Sequence, residues 1–222
     1  LQLNGVSANQ FVQTTDSRLS DERPPSPKSN NYIQNTTEQQ NASFNITGVA
    51  KAITVEAKTQ YNIEGQRLIG VNGIDNLFVG VGSGLNNTGQ NNAFFGRDAG
   101  LLNNAGSDNS FFGRRNGYSN TTGVGNSFFG SIAGFRNTSG SFNSFFGYEA
   151  GHDNSVGSRN TFVGAFTGRF AGAGRNNNTL IGYDAQVDDD ADFATAIGSG
   201  SFAFNSDTIV LGKNGGTYNG VN

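Results

Sequence analysis

The chain has 222 residues with 33 Gly and 31 Asn, only 14% charged side chains and a net charge of −3, where soluble domains carry about 25% charge. That balance argues against a nucleic-acid-binding surface, and with no Cys and a single His, His152, one chain can build neither a cysteine site nor a multi-histidine metal centre. No run of 18 apolar residues occurs, so no membrane-spanning helix is expected, and 19 Phe with 6 Tyr are too many for a disordered tail.

Residues 1–42 predict an extended stalk or linker. All three prolines, Pro24, Pro25 and Pro27, fall there beside Asp21, Glu22 and Arg23, a polyproline-like connector. Residues 43–75 predict a β-rich neck, with alternating pairs Phe44/Ile46, Ile53/Val55 and Tyr61/Ile63. Residues 76–214 are a repeat. Phe-Phe-Gly returns at Gly96, Gly113, Gly130 and Gly147, and looser versions end at Gly80, Gly164, Gly182, Gly198 and Gly212. The nine copies lie 14–18 residues apart. A unit this short and glycine-rich cannot hold a helix pair; it is one coil of a parallel β-solenoid. Each copy predicts a short strand, a turn at the glycine, a second short segment and an Asn/Thr/Gly turn. Residues 215–222 form a C-terminal tail. The absence of Met, even at position 1, reads as a processed or partial product.

Counting from each motif glycine, positions −1 and −2 are both apolar: Phe94 and Phe95, Phe111 and Phe112, Phe128 and Phe129, Phe145 and Phe146, then Phe162 and Val163. Adjacent strand residues point to opposite faces, so one column fills the coil and the other needs an external cover. Five such Phe would expose roughly 750 Å² at ~150 Å² each, more than a monomer usually shows. Self-association about an axis parallel to the stack is the simplest cover, and twofold or threefold symmetry both satisfy it. Position −4 is an Asn column from Asn76 to Asn178, expected to stack as an amide ladder. Position +4 is a Gly column from Gly84 to Gly168, expected at a tight bend.

The last copies, Ala194-Thr195-Ala196-Ile197-Gly198 and Asp207-Thr208-Ile209-Val210-Leu211-Gly212, resemble the head repeats of trimeric autotransporter adhesins (YadA-like heads). The 17-residue copies with their Asn-Ser-Phe-Phe-Gly and Asn-Thr-Thr-Gly turns resemble bacterial and phage tail-fibre-domain proteins, as do residues 15–21 and 32–37. The resemblance implies a homotrimer of left-handed β-rolls displayed outside the cell or on a virion-like particle for attachment. Combined with strand alternation, it assigns Phe95, Phe112, Phe129 and Phe146 to the coil interior. It places Phe94, Phe111, Phe128 and Phe145 against partner chains. The 17-residue period is longer than the adhesin-head repeat, so individual residues are not carried across.

No catalytic constellation stands out, and no cofactor is implied. His152 is one rung of a mixed column at +5, with no nucleophile assigned to it. Asp188, Asp189, Asp190 and Asp192 crowd one turn; they read as a solvated loop or, as a weaker candidate, a Ca²⁺ site. Arg114, Arg115, Arg136, Arg159 and Arg175 are expected on outward turns, as solvated charges or as contacts for a carbohydrate. Asn-x-Ser/Thr sequons at Asn35, Asn41, Asn45, Asn86, Asn120, Asn137 and Asn177 arise from the turn composition. The chain therefore reads as a structural and adhesive fibre segment rather than an enzyme. The alternatives are an architectural filament or spacer without a ligand, or a tailspike-like polysaccharide-degrading enzyme, which the carboxylate placement disfavours.

Overall fold

The computed structural model describes residues 2–3, 6–7, 60–63, 66–71, 74–169 and 174–212. The chain divides into two compact units, 1–55 and 56–222. In the first, the described residues are β1 (Gln2–Leu3) and β2 (Val6–Ser7), paired antiparallel. The expected connector around Pro24, the strand pairs Phe44/Ile46 and Ile53/Val55, and the tail 215–222 lie outside the described residues.

The second unit is a parallel β-solenoid, and no helix occurs among its described residues. It begins with β3 (Gln60–Ile63) and β4 (Gln66–Gly70). The repeat then supplies β5 (Leu77–Val79), β6 (Ala93–Phe95), β7 (Ser110–Phe112), β8 (Ser127–Phe129) and β9 (Ser144–Phe146). It continues with β10 (Thr161–Val163), β11 (Thr179–Ile181), β12 (Gln186–Val187), β13 (Thr195–Ile197), β14 (Phe202–Ala203) and β15 (Ile209–Leu211). The motif strands β5 to β11, β13 and β15 stack in parallel and in register, Phe94 over Phe111 over Phe128 over Phe145. Nine motif strands bound eight full coils. The last strands of the expected neck belong to this same sheet: β3 pairs antiparallel with β4, and β4 antiparallel with β5. They cover the backbone edge that the first coil would otherwise expose.

Position −2 is the core. Phe94, Phe111, Phe128, Phe145 and Phe162 are fully buried, with ring centroids 4.7–4.9 Å apart and planes within 8°. That is the strand spacing of a sheet. The expected assignment of faces is therefore reversed. Phe95, Phe112, Phe129 and Phe146 point out of the coil, and Phe146 is 40% exposed. The Gly column explains why. Gly134 adopts φ +56°, and a Cβ there would fall on the ring of its own coil's Phe128. The missing side chain at +4 is the space that the −2 ring occupies. Gly130, at φ +135°, is required for a second reason: its Cβ would strike the carbonyl of Gly147 in the next coil.

Where the inner ring gives way to Leu180 and Ala196, the +4 glycine disappears as well, to Gln186 and Phe202. The chain there runs straight as β12 and β14, which pair in parallel and bring Val187 and Ala203 into the core. The solenoid thus has two coil types, an aromatic one and a slimmer aliphatic one.

Candidate interaction surface

Three polar columns hold successive coils together and so fix the spacing of everything displayed outside. At −4, Asn126 Oδ1 accepts the Asn143 backbone N–H (2.9 Å), and Asn126 Nδ2 donates to the Gly140 carbonyl (2.9 Å). The same pair of bonds recurs from Asn76 to Asn178. This column bonds chiefly to backbone rather than forming the expected side-chain ladder. The amide ladder stands instead at +7, a column that sequence reasoning missed: Asn120 Nδ2 donates to Asn103 Oδ1 (2.6 Å) and Asn137 Nδ2 to Asn120 Oδ1 (2.7 Å). The periodic Asn at that offset was the available signal. At −6, Ser107, Ser141, Ser158, Asn176, Asp192 and Ser206 each accept a backbone N–H from the coil before, as in Val124 N–H to Ser141 Oγ and Asn176 N–H to Asp192 Oδ1, and Val124 interrupts the column. Buried amides satisfied on both sides lock register.

These columns settle several sequence candidates. Asn120 and Asn137 are fully buried ladder members, so their sequons are structural. Asp192 is a rung of the −6 column. Asp188 accepts the Asp189 N–H, and Asp189 pairs with Arg175 at 2.5 Å. Among the described residues no group of three or more His, Cys, Asp or Glu converges for a metal. Arg175 departs from its expected outward place. It is 1% exposed and donates to the Val187 carbonyl (2.6 Å). Burial lowers its pKa, and Asp189 opposes that shift. His152 stacks on Phe135 and meets Asp153 at 2.7 Å, while Arg136 reaches the same carboxylate at 3.2 Å. This is an outer turn held by stacking and charge.

The outward sheet face is formed by the first and third residues of each motif strand. Phe95, Phe112, Phe129 and Phe146 stack along it 4.7–4.9 Å apart with planes within 7°. The apolar line continues through Val163, Ile181 and Ile197 to Leu211. Its companion column is small or aliphatic, from Leu77 and Ala93 through Ser110, Ser127 and Ser144 to Ile209. No Asp, Glu, Lys or Arg stands at either position of any of the nine strands. No known protein family, curated protein or solved structure matches the chain. The surface must therefore be read from its own chemistry.

A second exposed feature lies on the turns after the glycines. Tyr148, Phe166 and Tyr183 interlock edge to face across three coils, with centroids 5.3 and 5.7 Å apart and interplanar angles of 87° and 86°. The Arg169 guanidinium lies 5.2 Å from the Phe166 centroid and meets Glu149 at 2.7 Å.

Proposed function

We propose that this chain is a structural and adhesive fibre segment: copies associate side by side along the solenoid, as a homotrimer, outside the cell or on a virion-like particle, and present their outer turns for attachment. The observation that carries this reading is the uncharged outward sheet face. Phe146, Ile181 and Leu211 are 40%, 38% and 72% exposed on it. Aromatic side chains present ~150–250 Å² each, so with Phe146 at 40% and the other three only half-buried the four Phe expose roughly 200–400 Å² at most, and Val163, Ile181, Ile197 and Leu211, all exposed, extend the same line. A monomer's largest apolar patch is about 300–600 Å², and a stable interface needs roughly 800 Å² per partner. The coils are in register, so the apolar line runs unbroken along the sheet and a parallel copy meets its own counterpart residue at every level. The threefold count comes from the adhesin-head resemblance.

Native mass spectrometry and sedimentation of the full chain test the reading. A trimer is expected, and the variant with Phe112→Ser and Phe129→Ser should remain folded but sediment as a monomer. A wild-type chain that stays monomeric at every concentration overturns the proposal.

A further inference from the structure

The fold does not require an aromatic side chain just after the motif glycine. The equivalents of Tyr148 and Tyr183 after the other motif glycines are Val81, Arg97, Arg114, Ser131, Ala165, Ser199 and Lys213. Yet the two tyrosines stand there 46% and 59% exposed. Phe166 packs against both, its ring perpendicular to each of theirs. Phe166 is itself held under the Arg169 guanidinium, whose Nε meets Glu149, a carboxylate with a side chain only 10% exposed. The nearby Glu149 carboxylate raises the Tyr148 pKa. Two rings and an ion pair are thus fixed in place before any ligand arrives.

We propose that Tyr148 and Tyr183, with Arg169 of the intervening coil, form a platform for the pyranose rings of an extended polysaccharide lying along the solenoid axis. A pyranose has an apolar C–H face, which an exposed tyrosine ring covers. It also has a hydroxyl edge, which the tyrosine hydroxyls and the guanidinium can bond. The core of a protein–protein contact is depleted of charge, and this cluster is built around a fixed ion pair. Both tyrosines occupy the same position two coils apart, about 9.6 Å at the sheet spacing. That separation is comparable to two linked hexoses in a straight chain. The inference rests on the attachment reading and names its ligand class.

The test uses the full chain with chitohexaose, cellohexaose and a hyaluronan hexasaccharide in isothermal titration calorimetry. At least one should bind. Tyr148→Ala with Tyr183→Ala should weaken it at least tenfold, Tyr148→Phe with Tyr183→Phe should keep most of the affinity, and Arg169→Gln should fall between. The melting temperature should be unchanged in both tyrosine pairs, since Ser and Ala already serve at this position, whereas Arg169→Gln should melt lower because it leaves the buried Glu149 carboxylate unpaired. Failure of all three hexasaccharides to bind the wild type overturns the platform, as does undiminished binding by the double alanine variant. Sedimentation in parallel separates the two readings: a trimer that binds no sugar sinks only the platform, and a monomer that binds sugar sinks only the assembly.

Discussion

Truncating Phe128 and truncating its neighbour Phe129 should have different consequences, although the residues are adjacent and identical. Phe128 is fully buried, stacked between Phe111 at 4.9 Å and Phe145 at 4.8 Å, with the bare Gly134 against its ring. Phe128→Ala removes both stacks and opens a cavity that the rigid coils above and below cannot close. The expected cost is about 3–5 kcal/mol. At roughly 2–4 °C per kcal/mol for a chain of this size, the melting temperature should fall by about 6–20 °C at every protein concentration. Phe129 keeps its outer stacking partners but has no coil atoms over its outward side, so Phe129→Ala should cost the single chain only about 1 kcal/mol. Its main effect should be on association, seen as a rise in the concentration at which the assembly dissociates. Thermal melts by circular dichroism across a hundredfold dilution series, with sedimentation at each point, read both quantities. If Phe129→Ala destabilises the dissociated chain as much as Phe128→Ala, the division into inner and outer columns is wrong.

Three further outcomes follow from the same geometry. Gly134→Ala should destabilise strongly by driving a Cβ into Phe128 at φ +56°, and Phe128→Leu in the same chain should recover part of the loss; simple additivity in a thermal double-mutant cycle would contradict the fit. Asn126→Ala leaves the buried Asn143 N–H without its acceptor and should cost about 1–3 kcal/mol by chemical denaturation, and Asn126→Asp should cost more by burying a carboxylate against the Gly140 carbonyl; an unchanged midpoint for either would refute the role of the column. Deleting residues 114–130 removes one whole period and should leave a folded chain with one coil fewer, whereas deleting 15 residues from the same start should not fold, as far-ultraviolet circular dichroism will show.

The period, the strand positions and the parallel stacking were legible because they depend only on residues that recur at a fixed offset. The assignment of faces was not, because Ser-Phe-Phe-Gly reads as buried on both sides and nothing within the strand says which side is inside. The deciding residue lies outside it, at +4: Gly100, Gly117 and Gly134 accompany Phe94, Phe111 and Phe128, while Gln186 and Phe202 accompany Leu180 and Ala196. That covariation holds in eight of the nine copies, Val210 with Gly216 being the exception, and points to the inner column. The −4 Asn column was recognised, but its bonds to backbone were not, since a recurring Asn does not reveal its partner. The burial of Arg175 had no sequence signal. It occupies the place held by Gly89, Gly106, Gly123, Gly140 and Gly157 in earlier coils, and its partner Val187 belongs to the second coil type. The Tyr148–Phe166–Tyr183 cluster escaped because its members come from two different offsets and meet only once the coils are stacked.

The central claim is that each repeat copy adds one parallel strand in register. The natural chain has no cysteine, so nitroxide pairs can be placed on the outward companion column without competing labels. Pulsed dipolar spectroscopy on Ser110/Thr179 and Ala93/Thr195 pairs, diluted in unlabelled chain, compares separations of four and six strands. At ~4.8 Å per strand the mean distances should be about 19 and 29 Å, rising linearly with the number of strands between. Equal distances for the two pairs, or a shorter one for the pair further apart in the chain, would contradict the solenoid.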